Sequence, residues 1–220
     1  MKTAVKFIIV FIFFGAFSIS SFAQDFVFKT YSLNDNLLSK KLDTDMSLGK
    51  TPVGINVLSN TLKVMYLNQP LFNMQAWSID WYGNAKEISA GITSKMQNEG
   101  FFPMGIASDN SKLYCLYIKG NTDATAWQLV ESNQNLSEVS KNISPYLAQG
   151  YIPVGITLHG NVYYVLLIKV SSTTAKNWEI QGYQGESAMT KDINQKIAQS
   201  KVPFGFLEKN GVYNVLYLHF

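Results

Sequence analysis

Few side chains in this sequence could do chemistry, and their spacing speaks against most of it. The two histidines, His159 and His219, have no acidic or cysteine neighbour at a spacing that suits a metal site or a nucleophile–base pair. His159 falls at a hairpin tip and His219 is next to last, so a solvated loop imidazole and a terminal one account for both. Cys115, the single cysteine, matches Val64, Val165 and Val215 elsewhere in the chain, which makes it a small buried hydrophobe. No Gly-x-Ser-x-Gly elbow and no phosphate-cradling glycine loop is present. A glycosidase needs only two carboxylates, yet Asp80, Glu131 and Glu179 stand at different positions on otherwise equivalent strands. The expectation is a non-enzyme without cofactor or metal. The alternative is a hydrolase acting on polysaccharide or cell-wall material through carboxylates.

Recognition chemistry is better represented, by aromatic residues at places where a repeat is broken. Trp81 has Thr30, Glu131 and Gly182 as counterparts, and with Trp77 and Tyr82 it makes one unusually aromatic strand. Phe101, Phe102 and Tyr151 form a second group just before two prolines. Tyr114 and Tyr164 match Lys63 and Asn214, which suggests partial exposure at that position. Exposed aromatic faces suit sugar rings or apolar protein partners, so Trp81, Tyr82, Phe101, Phe102, Tyr114, Tyr151 and Tyr164 are the candidate binding residues for a glycan or protein partner.

The elements that must position them come from a repeat. Pro52-Val53-Gly54-Ile55 returns as Pro103-Met104-Gly105-Ile106, Pro153-Val154-Gly155-Ile156 and Pro203-Phe204-Gly205-Phe206, the prolines 51, 50 and 50 residues apart. Before each proline, apolar residues four apart predict a helix face: Leu38/Leu42/Met46, Ile88/Ile92/Met96, Val139/Ile143/Leu147 and Met189/Ile193/Ile197. Asn34, Asn84, Asn135 or Ser137, and Ser187 sit where N-caps are wanted. Gly49, Gly100, Gly150 and the weaker Ser200 sit where helices stop. Pro145 inside the third helix predicts a kink or a late start. After each proline comes a hairpin, with a bulge or close backbone approach at the glycine and turns at Ser59-Asn60, Asn110-Ser111, Gly160-Asn161 and Asn210-Gly211. The return strands 62–67, 113–118, 163–168 and 213–218 are apolar on both faces, as central strands are.

A further strand carries Trp77, Trp127 and Trp178, which with the repeated prolines and glycines are expected to be scaffold. No such strand follows the fourth hairpin, but Phe26 precedes Trp77 by 51 residues. Strand 25–32 is therefore expected to complete the last unit and close a ring of four pseudo-symmetric β-α-β-β repeats, an α+β fold. The alternative is an open curved array. Unit boundaries fall at about 24–75, 76–125, 126–176 and 177–220.

Helix, then Gly150-Tyr151-Ile152-Pro153, then Tyr163-Tyr164-Val165, then Trp178 resembles the bacterial tandem repeat domain, secreted units of similar length. The resemblance spans all four units and implies an accessory or recognition role, with no catalytic residues to carry over. The family often ends its central strand in Trp, where this chain has Tyr66, Tyr117, Leu167 and Tyr217. Some fungal members stand beside a serine-hydrolase domain, which is absent from this sequence.

Residues 1–23 read as a signal peptide: Lys2 and Lys6, an apolar stretch at 7–17, and Ser21-Phe22-Ala23 before a cut after Ala23. The apolar run is short for a membrane span, so the mature chain 24–220, a single domain, is expected in the periplasm or outside the cell without stable membrane insertion. Its 16 lysines and no arginine against 15 acids leave a charge of +1, which disfavours nucleic acid as a partner. With one cysteine it has no internal disulfide and relies on its core. An outer-membrane barrel, suggested by the terminal Phe220, conflicts with the four helices and with strands of about seven residues, where a membrane strand needs ~9–11.

Overall fold

A computed structural model describes residues 26–68, 74–133, 135–171 and 175–219. The expected signal peptide, residues 1–23, lies outside the described residues. Four stretches of chain each form strand, helix, strand, strand. The first is β1 (Phe26–Ser32), α1 (Leu38–Ser47), β2 (Thr51–Leu58) and β3 (Thr61–Leu67). Next come β4 (Met74–Tyr82), α2 (Ala85–Ser94), β5 (Phe102–Ser108) and β6 (Leu113–Gly120). The third has β7 (Ala124–Ser132), α3 (Leu136–Leu147), β8 (Tyr151–His159) and β9 (Val162–Val170). The fourth has β10 (Asn177–Gln184), α4 (Glu186–Ala198), β11 (Lys201–Lys209) and β12 (Val212–His219).

Each unit holds its own three-stranded antiparallel sheet, ordered β1-β3-β2, β4-β6-β5, β7-β9-β8 and β10-β12-β11. The return strand of the hairpin is central, as its unbroken apolar run requires. No strand is shared between sheets among the described residues, so there is no closed barrel. No described helix is long and apolar enough to cross a membrane.

One expectation about connectivity is corrected. Strand β1 pairs with β3 of its own unit through seven residue pairs, from Phe26 opposite Leu67 to Ser32 opposite Thr61. The fourth sheet already has its outer strand, β10, so β1 does not complete it. The cause is local. Short connections on either side of α1 keep β1 beside its own hairpin, and the Tyr31 hydroxyl bonds to that of Tyr66 at 3.0 Å. The same phenol pair recurs as Tyr82–Tyr117 and Tyr183–Tyr217, each at 2.9 Å. In the third unit both partners are replaced together, by Ser132 and Leu167. A joint replacement avoids leaving a phenol without a partner.

The Pro-x-Gly strands pack on one another: β2 on β5, β5 on β8, β8 on β11, and β11 on β2. Every one carries a register shift at its glycine. A Cβ built on Gly155 would lie 2.7 Å from the Ile106 backbone nitrogen, and one on Gly205 only 2.8 Å from the Gly155 Cα. The glycines therefore let four backbones meet where side chains would hold them apart.

The helices lay Leu42/Met46, Ile88/Ile92, Val139/Ile143 and Met189/Ile193/Ile197 into the core. All four stop at left-handed residues, Gly49, Gly100, Gly150 and Ser200. Their starts fit less well. Asn84 and Asn135 cap as expected, accepting from Glu87 and from Ser137 and Glu138. Asn34 and Ser187 do not cap. Asp35 accepts from the Leu37 N–H instead, and Ser187 is already inside α4 behind Gly185. α3 runs on past Pro145 without a late start, because the proline lies in its last turn. α2 widens into a π-helical turn, Lys95–Glu99, before Gly100.

Candidate functional site

Along β4 the side chains alternate, and the two faces have different fates. Tyr82 and Asp80 turn toward their own unit, where the Tyr82 hydroxyl meets Tyr117 and Asp80 lies 3.3 Å from the Lys95 ammonium. Trp77, Ile79 and Trp81 line a groove against the preceding unit. Leu33, Leu38, Ser39 and Leu42 form its other wall and Tyr114 joins from β6, enclosing about 210 Å³. The Trp77 indole N–H donates to Asp43 on α1 at 2.7 Å, tying the two units together. Trp81 stands at the rim, 60% exposed, with the Lys112 ammonium 3.9 Å from its ring centre.

The hairpin beneath this rim is locked. Asp109 accepts from the Ser111 and Lys112 N–H groups, the Ser111 hydroxyl and the Tyr114 hydroxyl. Burial pushes its carboxyl pKa up, but those hydrogen bonds outweigh burial and hold it below the usual range. Burial and the Asp109 carboxylate push the Tyr114 phenol up to about 12. Neither group exchanges a proton near neutrality. They fix Lys112 and Tyr114 in place.

The groove is where the repeat is most broken. Trp81 has no aromatic counterpart, and Lys112 answers to Thr61, Val162 and Val212. Asp43 answers to Thr93, Ser144 and Asn194. Sequence reading found Trp81 but missed Lys112 and Asp43, although the same comparison of equivalent positions singles them out.

Of the other expected site residues only Tyr114 joins Trp81, as part of the groove lining. Phe102 is 3% exposed, and Tyr114 and Tyr164 are 7% exposed, so none presents a face to solvent. Lys63 misled that expectation. Its side chain is half-buried in the first unit, and its charge is balanced by Glu208 at 2.8 Å. A lysine there marks an ion pair, not solvent. Phe101 is half-buried near Lys95 and Lys119, and Tyr151 packs edge-on against Tyr146. Both sit at the end of their sheets away from the hairpin turns. Tyr82 is half-buried and engaged with Tyr117. Of the repeated tryptophans, Trp178 is buried while Trp77 and Trp127 are half-buried against the core.

One pair with catalytic composition was not legible in the sequence. The Ser108 hydroxyl lies 2.8 Å from His159 Nδ1, across the boundary of the second and third units. That is within reach of a nucleophile and its base. Yet Ser108 is buried, and its oxygen already accepts the Asn110 N–H at 3.0 Å. The pair reads as a polar clasp between units. Asp80 is held by Lys95, and Glu179 by Lys196 and Lys201. Burial works against the charge of Glu179, but the two ammonium groups outweigh it and keep its pKa below the usual range, which suits no general acid. Burial pushes the Cys115 thiol far up, so it carries no thiolate. No group of three or more potential metal ligands occurs among the described residues. Comparison with protein-family models and with curated proteins finds no match for this chain.

Proposed function

We propose that the chain is a secreted or periplasmic, non-catalytic binding module that seats an apolar side chain of a protein partner in the groove between its first two units. The observation that carries this reading is Trp81, a large aromatic residue 60% exposed at the rim of a pocket that is otherwise walled by aliphatic and aromatic groups apart from Ser39. At about 210 Å³ the pocket falls below the ~300–1,000 Å³ of ordinary small-molecule sites, so it takes one side chain rather than a whole ligand. A glycan is less favoured. Sugar hydroxyls need partners, and two polar groups of the lining, the Trp77 N–H and the Tyr114 hydroxyl, are already bonded to Asp43 and Asp109. The resemblance to the bacterial tandem repeat domain points to the same accessory role.

We further propose that the four units close into a pseudo-fourfold ring. Support comes from the seam between the fourth and first units. Phe28 meets Phe206 edge-on at 5.1 Å between ring centres, and the Glu208 N–H donates to Asn56 Oδ1 at 3.3 Å. Lys63 reaches Glu208 at 2.8 Å, Glu186 at 3.3 Å and the Tyr213 hydroxyl at 2.5 Å.

Immobilised protein exposed to an envelope extract and to a glycan array tests the binding reading. Retention of a protein that Trp81→Ala no longer retains is expected. Retention of a glycan alone would overturn the choice of partner, and retention indifferent to Trp81→Ala would move the site elsewhere.

A further inference from the structure

Charge at the rim narrows the partner further. Lys112 is held with its ammonium over the Trp81 ring, and no described carboxylate lies within ion-pair distance of it, although Asp109 is only three residues away. The four oxygen contacts of Asp109 are all taken by the hairpin and by Tyr114, which turns that carboxylate inward. A positive charge thus stands beside a largely apolar pocket without a counter-ion among the described residues, on an aromatic platform that keeps the lysine stem ordered. Both members of the Trp81–Lys112 pair are peculiar to the second unit. Neither is needed by the scaffold, since the other three units are built without them. Two independent departures from the repeat that touch each other fit one shared task better than two separate accidents.

We infer that the groove recognises an acidic-apolar segment of a partner protein, an aliphatic or aromatic side chain seated between Trp81 and α1 with a neighbouring Asp or Glu paired to Lys112. The inference rests on the protein-partner reading above. Asp43, on the opposite wall and already accepting from Trp77, repels a segment whose acid enters in the reverse direction. Polarity of the rim therefore sets the orientation of the bound segment.

A random dodecapeptide library displayed on phage, selected on the intact protein and counter-selected on Trp81→Ala, provides the probe. Enriched peptides are expected to carry Leu, Ile or Phe beside Asp or Glu. For a synthetic peptide of that kind, Lys112→Gln is expected to weaken binding about three- to tenfold and to flatten its dependence on salt, as an ion pair at a partly desolvated rim does. Changing the peptide's Glu to Gln should cost the same factor on the native protein and nothing further on Lys112→Gln. Trp81→Ala should cost about thirtyfold or more. Trp81 is exposed and Lys112 half-buried at the rim, and unchanged thermal unfolding checks that each variant is folded. Enriched apolar peptides without an acid, or losses from Lys112→Gln and from the peptide's Gln that multiply, would overturn the charge pairing and leave the groove reading intact. No enrichment over Trp81→Ala would overturn both.

Discussion

At the scale of single residues, what decided the outcome was the partner each side chain found. Trp81 could be picked out because nothing like it stands at the equivalent positions, and it proved exposed. Tyr114 was misjudged from Lys63, which shares its position: Lys63 is half-buried with its charge neutralised by Glu208, whereas Tyr114 is buried. Such a pairing spans 145 residues and leaves no local trace. Asp45 gives a residue-scale prediction. It accepts from the Tyr31 hydroxyl at 2.8 Å and from Lys50 at 2.6 Å, with Lys29 at 3.7 Å. Burial works against its charge, yet those partners outweigh burial, and its pKa lies below the model-peptide value of 3.8. A depressed carboxylate contributes stability that is present above about pH 4 and lost as the pH falls through its lower folded value. Urea midpoints measured from neutral pH to pH 2 are therefore expected to fall steeply below about pH 4. Asp45→Asn should make the protein less stable at neutral pH and its acid limb shallower. An unchanged acid limb would show that Asp45 is not a source of the dependence.

Elements were legible wherever a periodic pattern was enforced by burial. The helix faces, the central strands, the four turns and the left-handed helix ends all follow from spacing alone. Helix starts were harder to place, since Asn, Asp, Ser and Gly crowd each β–α connection and several can accept a backbone N–H. The bulge glycines were readable as special without showing what approached them. Each meets the backbone or side chains of another unit, a contact no local window contains. Gly155→Ala is expected to destabilise by about 3 kcal/mol or to prevent folding, because its methyl group would press on main chain at Ile106 that has no rotamer to yield. Gly182→Ala is the control. Its Cβ would lie 3.4 Å from the Asn214 side chain, an ordinary contact, and chemical denaturation should show a change within about 0.5 kcal/mol.

For the whole molecule, the repeat and its count were plain, whereas the place of β1 was not. Counting units from helix to tryptophan makes the first strand look like a donation to the last unit. Counting from strand to hairpin gives four complete sheets, and only the pairing of β1 with β3 decides between them. The proposed ring then depends on side chains at the seam. Lys63→Ala would leave Glu208 without its cation in a mostly buried place, at about 2–3 kcal/mol, below the 3–5 kcal/mol of a fully buried pair. Native-state hydrogen exchange gives the sharper readout. In a ring, amides of β2 and β11 should be protected as well as those of β5 and β8, and Lys63→Ala should loosen the first pair preferentially. Early fraying of the first and fourth units in the unaltered protein would favour the open array. Completeness of each sheet has a last consequence, for ancestry. A unit that owns all its main-chain pairing can be duplicated, deleted or exchanged by recombination in the loops between units without stranding an edge. Such a chain can change its number of units in single genetic steps, and one unit can drift toward a new partner while its siblings preserve the frame.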